Sequence, residues 1–287
     1  MKSHRLLTAV RALPFVVSCL LFFWAYALCA GPLARWRRPL QVWWCRVCLW
    51  MTGLRLRSYG RPVTEGVVLY VANHVSYLDI PVISRLVTGT FIAKSEVAGW
   101  ALFGYAARIT GTIFINRVGS EAKSQQEMLV RRLAGGEHLI MFPEGTSTDG
   151  SGVAPFKSSL FSLAEDPALR DRLIIQPLSL AYTCTRDGTP LVGPLRDRYA
   201  WFGDASLAPH LARVLGTPGG EVELRFLEPI PAVAVADRKI LARQAEAAVK
   251  SGIDASFAPY LGDGETATAS SAGGAAPTDR GEPAASA

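Results

Sequence analysis

Three hydrophobic patterns follow one another along the chain. The first is continuous. From Ala12 to Ala34 no residue is charged, and "ALPFVVSCLLFFWAYALCAGPLA" reads as an apolar helix. About 20 such residues span a bilayer. Gly31-Pro32 ends it, because Pro lacks the N–H and Gly permits a turn. The second pattern, "RWRRPLQVWWCRVCLWMTGLRLR", mixes Trp and Leu with Arg, which predicts a segment lying in the membrane interface. A single spanning anchor followed by a surface helix fits this arm, and so do two helices dipping into one leaflet. A cleaved signal peptide is a rival reading, since the positive start and "ALCA" imitate one, but no strong cleavage box follows.

The third pattern begins near residue 62 and is globular. "GVVLYVAN", "TFIAK", "TIFIN", "HLIMFP", "IIQPLSLAY" and "EVELRFL" are short, β-branched-rich apolar runs, which predict strands. Helical patterns lie between them at residues 79–88, 97–108, 120–134 and 156–165. "DRKILARQAEAAVKSG" predicts a further amphipathic helix, capped by Asp237 and ended by Gly252. Alternating strands and helices predict an α/β domain, a mixed sheet flanked by helices. Past Leu261 the chain is Gly, Ala, Ser, Thr and Pro without an apolar period, which predicts disorder. The expected organisation is a helical membrane arm over 1–58, a globular domain over 59–261 and a disordered tail over 262–287.

Charge sharpens the picture of the arm. Residues 1–64 hold ten Lys/Arg and no acid, whereas the remaining residues hold 20 basic and 24 acidic side chains, a net of −4. The +6 excess therefore sits in the arm. Trp, Leu and Phe among those cations favour anionic lipid over nucleic acid, so no nucleic-acid partner is expected. The five cysteines and four histidines are scattered. No second cysteine pair accompanies Cys45 and Cys48, and no HExxH helix occurs. Neither a disulfide framework nor a metal site is expected.

Chemistry gathers where the strands end. His74 and Asp79 follow "GVVLYVAN", at the strand end where α/β sheets expose their sites. Asp79, just before Ile80-Pro81, fits a helix cap. It also fits a carboxylate that orients His74 as a base, if a tight turn through Val75, Ser76 and Tyr77 brings it back. One oxygen could do each. Neither GxSxG nor GxxxxGK[ST] occurs, which argues against a serine hydrolase and a P-loop site. With a base and no protein nucleophile in view, the nucleophile expected is a hydroxyl of the substrate, attacking an activated carbonyl.

Three more stretches follow in order: "GTIFINR" with Arg117, "FPEGTSTDG" with Glu144, Gly145 and Thr146, and Pro177 inside "IIQPLSLAY". The series NHxxxxD (Asn73, His74, Asp79), GxxFxxR (Gly111, Phe114, Arg117), FPEGT (Phe142 to Thr146) and a Pro-bearing apolar strand resembles the PlsC-type glycerolipid acyltransferase family over roughly residues 60–250. The resemblance implies the glycerolipid acyltransferase fold and transfer of a fatty acyl group from acyl-carrier protein or acyl-coenzyme A to the hydroxyl of a lysolipid. No cofactor beyond that co-substrate is implied. His74 would be the general base, Asp79 its orienting partner, and Lys94, Arg117, Glu144, Gly145 and Thr146 the acceptor-binding residues. The implied setting is the inner membrane, among membrane lipids, with the catalytic domain on the cytoplasmic side.

One residue departs from the family pattern. Members that acylate 1-acyl-sn-glycerol-3-phosphate often carry Arg after EGT, and this chain has Ser147. "NHVSYLDI", "AKSEVAGW" and "EGTSTDG" are also similar to lyso-ornithine lipid acyltransferases. The first expectation is 1-acyl-sn-glycerol-3-phosphate, giving phosphatidic acid for phospholipid biosynthesis, and the second is a lyso-ornithine lipid. A non-catalytic lipid-binding protein on the same fold is the remaining alternative, and the His74/Asp79 pair argues against it.

Overall fold

The structure, a computed structural model, describes residues 2–29, 31–116 and 122–261. Arg117 and the tail over 262–287, for which the sequence predicts disorder, lie outside the described residues. The arm is a helical hairpin. Helix α1 (Lys2–Leu28) is followed by a 3-10 turn (Gly31–Trp36) and helix α2 (Arg37–Thr52). The break at Gly31-Pro32 falls where the sequence places it.

Eight strands among the described residues form one mixed sheet. They are β1 (Leu54–Tyr59), β2 (Val67–Ala72), β3 (Thr90–Lys94), β4 (Ile113–Ile115), β5 (Leu139–Met141), β6 (Leu173–Thr185), β7 (Gly220–Phe226) and β8 (Ile230–Pro231). Their order is β1-β7-β6-β2-β5-β3-β4, with β8 on β6. Strands β6, β2, β5, β3 and β4 run parallel to one another, whereas β7 and β8 are antiparallel to β6.

Strand β2 shows why both faces need helices, since all six of its residues are buried. Val67, Leu69 and Val71 enter one core, with α5 (Ala122–Ala134) and α7 (Arg238–Phe257). Val68, Tyr70 and Ala72 enter the opposite core, with α3 (Asp79–Ser84) and α6 (Leu207–Leu215). A continuous apolar run with residues alternating between two cores is the signature of a strand covered on both faces.

Several expectations are corrected. Residues 156–165 hold a 3-10 helix (Ser158–Glu165), not an α-helix. Residues 97–108 divide at Trp100, whose extended backbone separates a 3-10 turn (Ser95–Gly99) from α4 (Ala101–Ile109). Strand β1, read as part of the arm, pairs with β7 along its whole length. Leu54 is buried and Arg55 and Arg57 are exposed, so its Leu-Arg alternation is that of an edge strand. Pro177 lies on the central strand β6, and its missing N–H does no harm there. Pairing to β7 begins at Leu178 and pairing to β8 ends at Ile175, so Pro177 sits where the neighbour changes.

Gly252 does not end α7, which runs on to Phe257. It is buried, and a Cβ placed there would lie 2.2 Å from Ser179 Oγ on β6. The glycine lets helix and sheet approach closely. Gly252→Ala is therefore expected to destabilise the protein by about 1–3 kcal/mol through overpacking, measured by chemical denaturation. A neutral or stabilising result, the ordinary effect of Ala in a helix, would mean that the helix can move away from the sheet.

Candidate active site

Parallel strands end at the same edge of the sheet, and there the motifs meet. His74 lies two residues past β2, Lys94 ends β3, and Phe142 follows β5. The His74 loop is held from three sides. Asn73, fully buried, accepts from Leu180 N at 2.8 Å and donates to Leu180 O at 2.9 Å, extending the β2–β6 pairing with its side chain. The His74 carbonyl accepts from Thr148 N at 2.9 Å and Thr148 Oγ1 at 3.2 Å. The imidazole stacks on Phe142, with centroids 4.1 Å apart and planes 15° apart. The first and third motifs are thus one unit.

A turn at Ser76, whose carbonyl accepts from Asp79 N at 3.0 Å, returns the chain under the imidazole. Asp79 is fully buried and accepts four hydrogen bonds. Its Oδ2 takes His74 Nδ1 at 2.8 Å, Val75 N at 2.8 Å and Ser76 N at 3.0 Å, and its Oδ1 takes the Tyr182 hydroxyl at 2.9 Å. The capping reading is corrected here. Asp79 is the first residue of α3 and satisfies donors of the preceding turn, not those of its own helix. A carboxylate only accepts, so the ring nitrogen facing it is the donor. That leaves Nε2 as the nitrogen able to take a proton.

Tyr182, on β6, carries no spacing signal in the sequence and was missed. It is buried and stacks on Tyr199 at 5.4 Å, 13° from parallel. Burial, and then the Asp79 charge beside it, hold its phenol well above the ordinary pKa, so it stays protonated and donates. It is a positioning residue for Asp79.

His74 opens onto a cavity of about 670 Å³. Lys94, Gly145, Thr146 and Ser147 line it, together with Glu96 and Asp204, which the sequence did not single out. Much of the rest of the lining is apolar, among it Ile92, Ile115, Leu129, Leu160 and Leu163. Trp100 and Trp201, also on the lining, meet edge to face at 5.4 Å. Glu144 is placed differently from its neighbours. It is 3% exposed and off the cavity wall, and the backbone N–H groups of His74 and Ala154 approach its carboxylate without closing a hydrogen bond of full geometry. Burial, with the Asp79 charge adding to it, pushes its pKa up to about 8, partly opposed by the backbone N–H groups of His74 and Ala154. Its neutral form is thus favoured relative to an exposed glutamate. Gly145, at φ +79°, makes the turn that follows it, a backbone region that favours glycine. No group of three or more metal-ligating side chains occurs among the described residues.

A family model described as Acyltransferase matches residues 55–181. A curated lyso-ornithine lipid O-acyltransferase of Rhodobacter capsulatus is 41% identical over 210 residues, covering 73% of this chain and 74% of that protein. A 1-acyl-sn-glycerol-3-phosphate acyltransferase of Neisseria gonorrhoeae is 38% identical over 110 residues, 37% of this chain and 43% of that protein. The crystal structure of PlsC, the 1-acyl-sn-glycerophosphate acyltransferase of Thermotoga maritima, shares the fold at TM-score 0.64 and 18% identity, covering 89% of this chain and 98% of that one. The chain is an acyltransferase and belongs to the PlsC-type acyltransferase family.

The geometry predicts graded losses of acyl transfer. His74→Ala is expected to lower kcat about 10²–10⁴-fold in a folded protein, the usual worth of a positioned base. Tyr182→Phe removes one donor from a buried carboxylate, at a cost of about 1–3 kcal/mol, and is expected to lower kcat about tenfold with KM nearly unchanged and the pH profile displaced. Steady-state kinetics across pH check both. A Tyr182→Phe enzyme with a wild-type pH profile would remove Tyr182 from the site.

Proposed function

We propose that this acyltransferase esterifies the free hydroxyl of a lyso-ornithine lipid, using acyl-carrier protein or coenzyme A thioesters as donor. The observation that carries this reading is the charge of the cavity wall. Lys94 faces the same space as Glu96 and Asp204, and Ser147, not a cation, follows Thr146. An ornithine head group presents both a carboxylate and an ammonium, and a wall with both signs complements it. The share of the chain matched by the Rhodobacter relative supports the same acceptor.

In the mechanism, His74 Nε2 takes the proton of the acceptor hydroxyl as its oxygen attacks the thioester carbonyl. The C–O bond forms, the C–S bond breaks, and the imidazolium returns the proton to the departing thiolate. Asp79 and Tyr182 hold the ring throughout. The apolar walls receive an acyl chain. The second reading is 1-acyl-sn-glycerol-3-phosphate, supported by the Neisseria relative, with Lys94 and Arg117 as its expected anion contacts.

The arm is read as lying in one leaflet. Among the described residues one helix, Leu6–Leu28, is long and apolar enough to cross a membrane. Its N-terminal half is tied to the domain, with Thr8 Oγ1 donating to Ala212 O at 3.1 Å and Arg11 Nη1 to Thr217 O at 2.9 Å. Further along, Phe23 meets Tyr105 of α4 edge to face at 6.4 Å. The helix therefore meets the domain at both ends of fifteen residue steps, about 22 Å, and the outer stripe of Leu6, Val10, Leu13, Val17 and Trp24 is exposed. Contacts at both ends of that length support a helix lying along the leaflet over one crossing a core of about 30 Å. Both proposed acyl donors are cytoplasmic molecules, which supports a reading with the domain on the cytoplasmic side of the inner membrane.

Purified enzyme offered both lysolipids with both donors tests the reading. The expected result is a higher kcat/KM for the lyso-ornithine lipid. Ser147→Arg is expected to reduce that value by up to about fivefold, the scale of an exposed charge contact, and to help the phosphate lipid. A preference for the phosphate lipid that Ser147→Arg leaves unchanged would establish the second reading.

A further inference from the structure

Outside the cavity, Arg38 and Arg46 of α2 and Arg85 just past α3 lie where these two helices pack, with no ion pair among the described residues. Arg38 of α2 donates from Nη1 to Ser84 O, at the end of α3, at 2.7 Å. Arg85 is the next residue of the chain. Desolvation first, and then repulsion from Arg46, lowers the Arg85 pKa, and Arg38 is lowered by desolvation and by Arg85. None of the three makes an ion pair among the described residues. None lines the active-site cavity. The carbonyl at the end of α3 accounts for Arg38. Nothing in the described protein accounts for holding Arg46 and Arg85 beside it.

The surroundings indicate what balances this charge. Arg46 is exposed on the face of α2 that also carries Trp43, 54% exposed, and Trp50, 77% exposed. These positions are three, four and seven apart, so they form one stripe of the helix. Exposed indoles belong at the level of lipid head groups. An Arg fork grips a phosphate through two parallel bonds. An acidic carrier protein would match the charge but would leave the exposed Trp pair unexplained.

We propose that Arg38, Arg46 and Arg85 form a binding site for the phosphate of an anionic phospholipid, at the junction of the membrane arm and α3. A lipid held there ties α2 to the helix that begins with Asp79, and so sets the height of the active site over the leaflet. The site does not depend on which lysolipid is the acceptor.

The test uses the full-length enzyme and two vesicle types, phosphatidylcholine alone and phosphatidylcholine with phosphatidylglycerol, read by co-flotation. Each basic residue near an anionic surface contributes about a fivefold gain. Arg46→Gln/Arg85→Gln is therefore expected to lose about 30-fold of the preference for anionic vesicles. The control pair Arg35→Gln/Arg55→Gln, which removes the same charge from the same basic segment, is expected to lose less. Equal losses by the two pairs would mean diffuse attraction and overturn the site. Millimolar inorganic phosphate or glycerol phosphate abolishing the preference at constant ionic strength would show a free anion as the ligand and overturn the lipid assignment. Loss of transfer from acyl-carrier protein with vesicle binding intact would show a protein-docking surface instead. Arg46→Lys/Arg85→Lys, which keeps charge but not the fork, is expected to fall between wild type and the Gln pair. Full retention of the preference by the Lys pair would also overturn a built phosphate site.

Discussion

The buried carboxylate of Asp79 is the constraint on which the rest of the active site depends. A carboxylate without water is costly unless its lone pairs are occupied. Here four donors occupy them, from His74, Val75, Ser76 and Tyr182. Two are backbone N–H groups, which fix the loop. One is the imidazole of His74, the proposed base. The fourth reaches across from β6, so the sheet itself holds the pair. Any change that unbalances this set acts on His74 from outside the cavity.

The same economy extends outward from His74. Its carbonyl is held by Thr148 and its ring is stacked on Phe142. The loop that carries the base and the loop that borders the cavity are therefore positioned by each other. Burial raises the Glu144 pKa to about 8 and so opposes its ionisation. A second full negative charge near Asp79 is thus disfavoured. Lys94, Glu96 and Asp204 remain at the cavity wall, where solvent screens them.

Much of this was legible in the sequence, for identifiable reasons. Each strand run is short and mostly apolar, with β-branched residues in all of them, and the His74–Asp79 spacing needs only one tight turn. What was not legible depends on contacts distant in sequence. Tyr182 lies 103 positions from Asp79, and no local pattern marks it. Gly252 looks like a helix stop until the sheet behind it is seen. Strand β1 was hidden because its arginines suit an interfacial arm as well as an edge strand. Glu144 belongs to a motif whose neighbours line the cavity, and only packing shows that it does not.

The central claim is that Asp79 holds His74 as the Nδ1–H tautomer, with Nε2 free to accept a proton. Nitrogen-15 NMR of histidine-labelled enzyme, with His74 assigned by the His74→Ala variant, tests it directly. The account predicts, at a pH where the ring is neutral, a protonated Nδ1 with its proton shifted downfield and an unprotonated Nε2. A His74 ring protonated at Nε2, or one exchanging freely between tautomers, would contradict it.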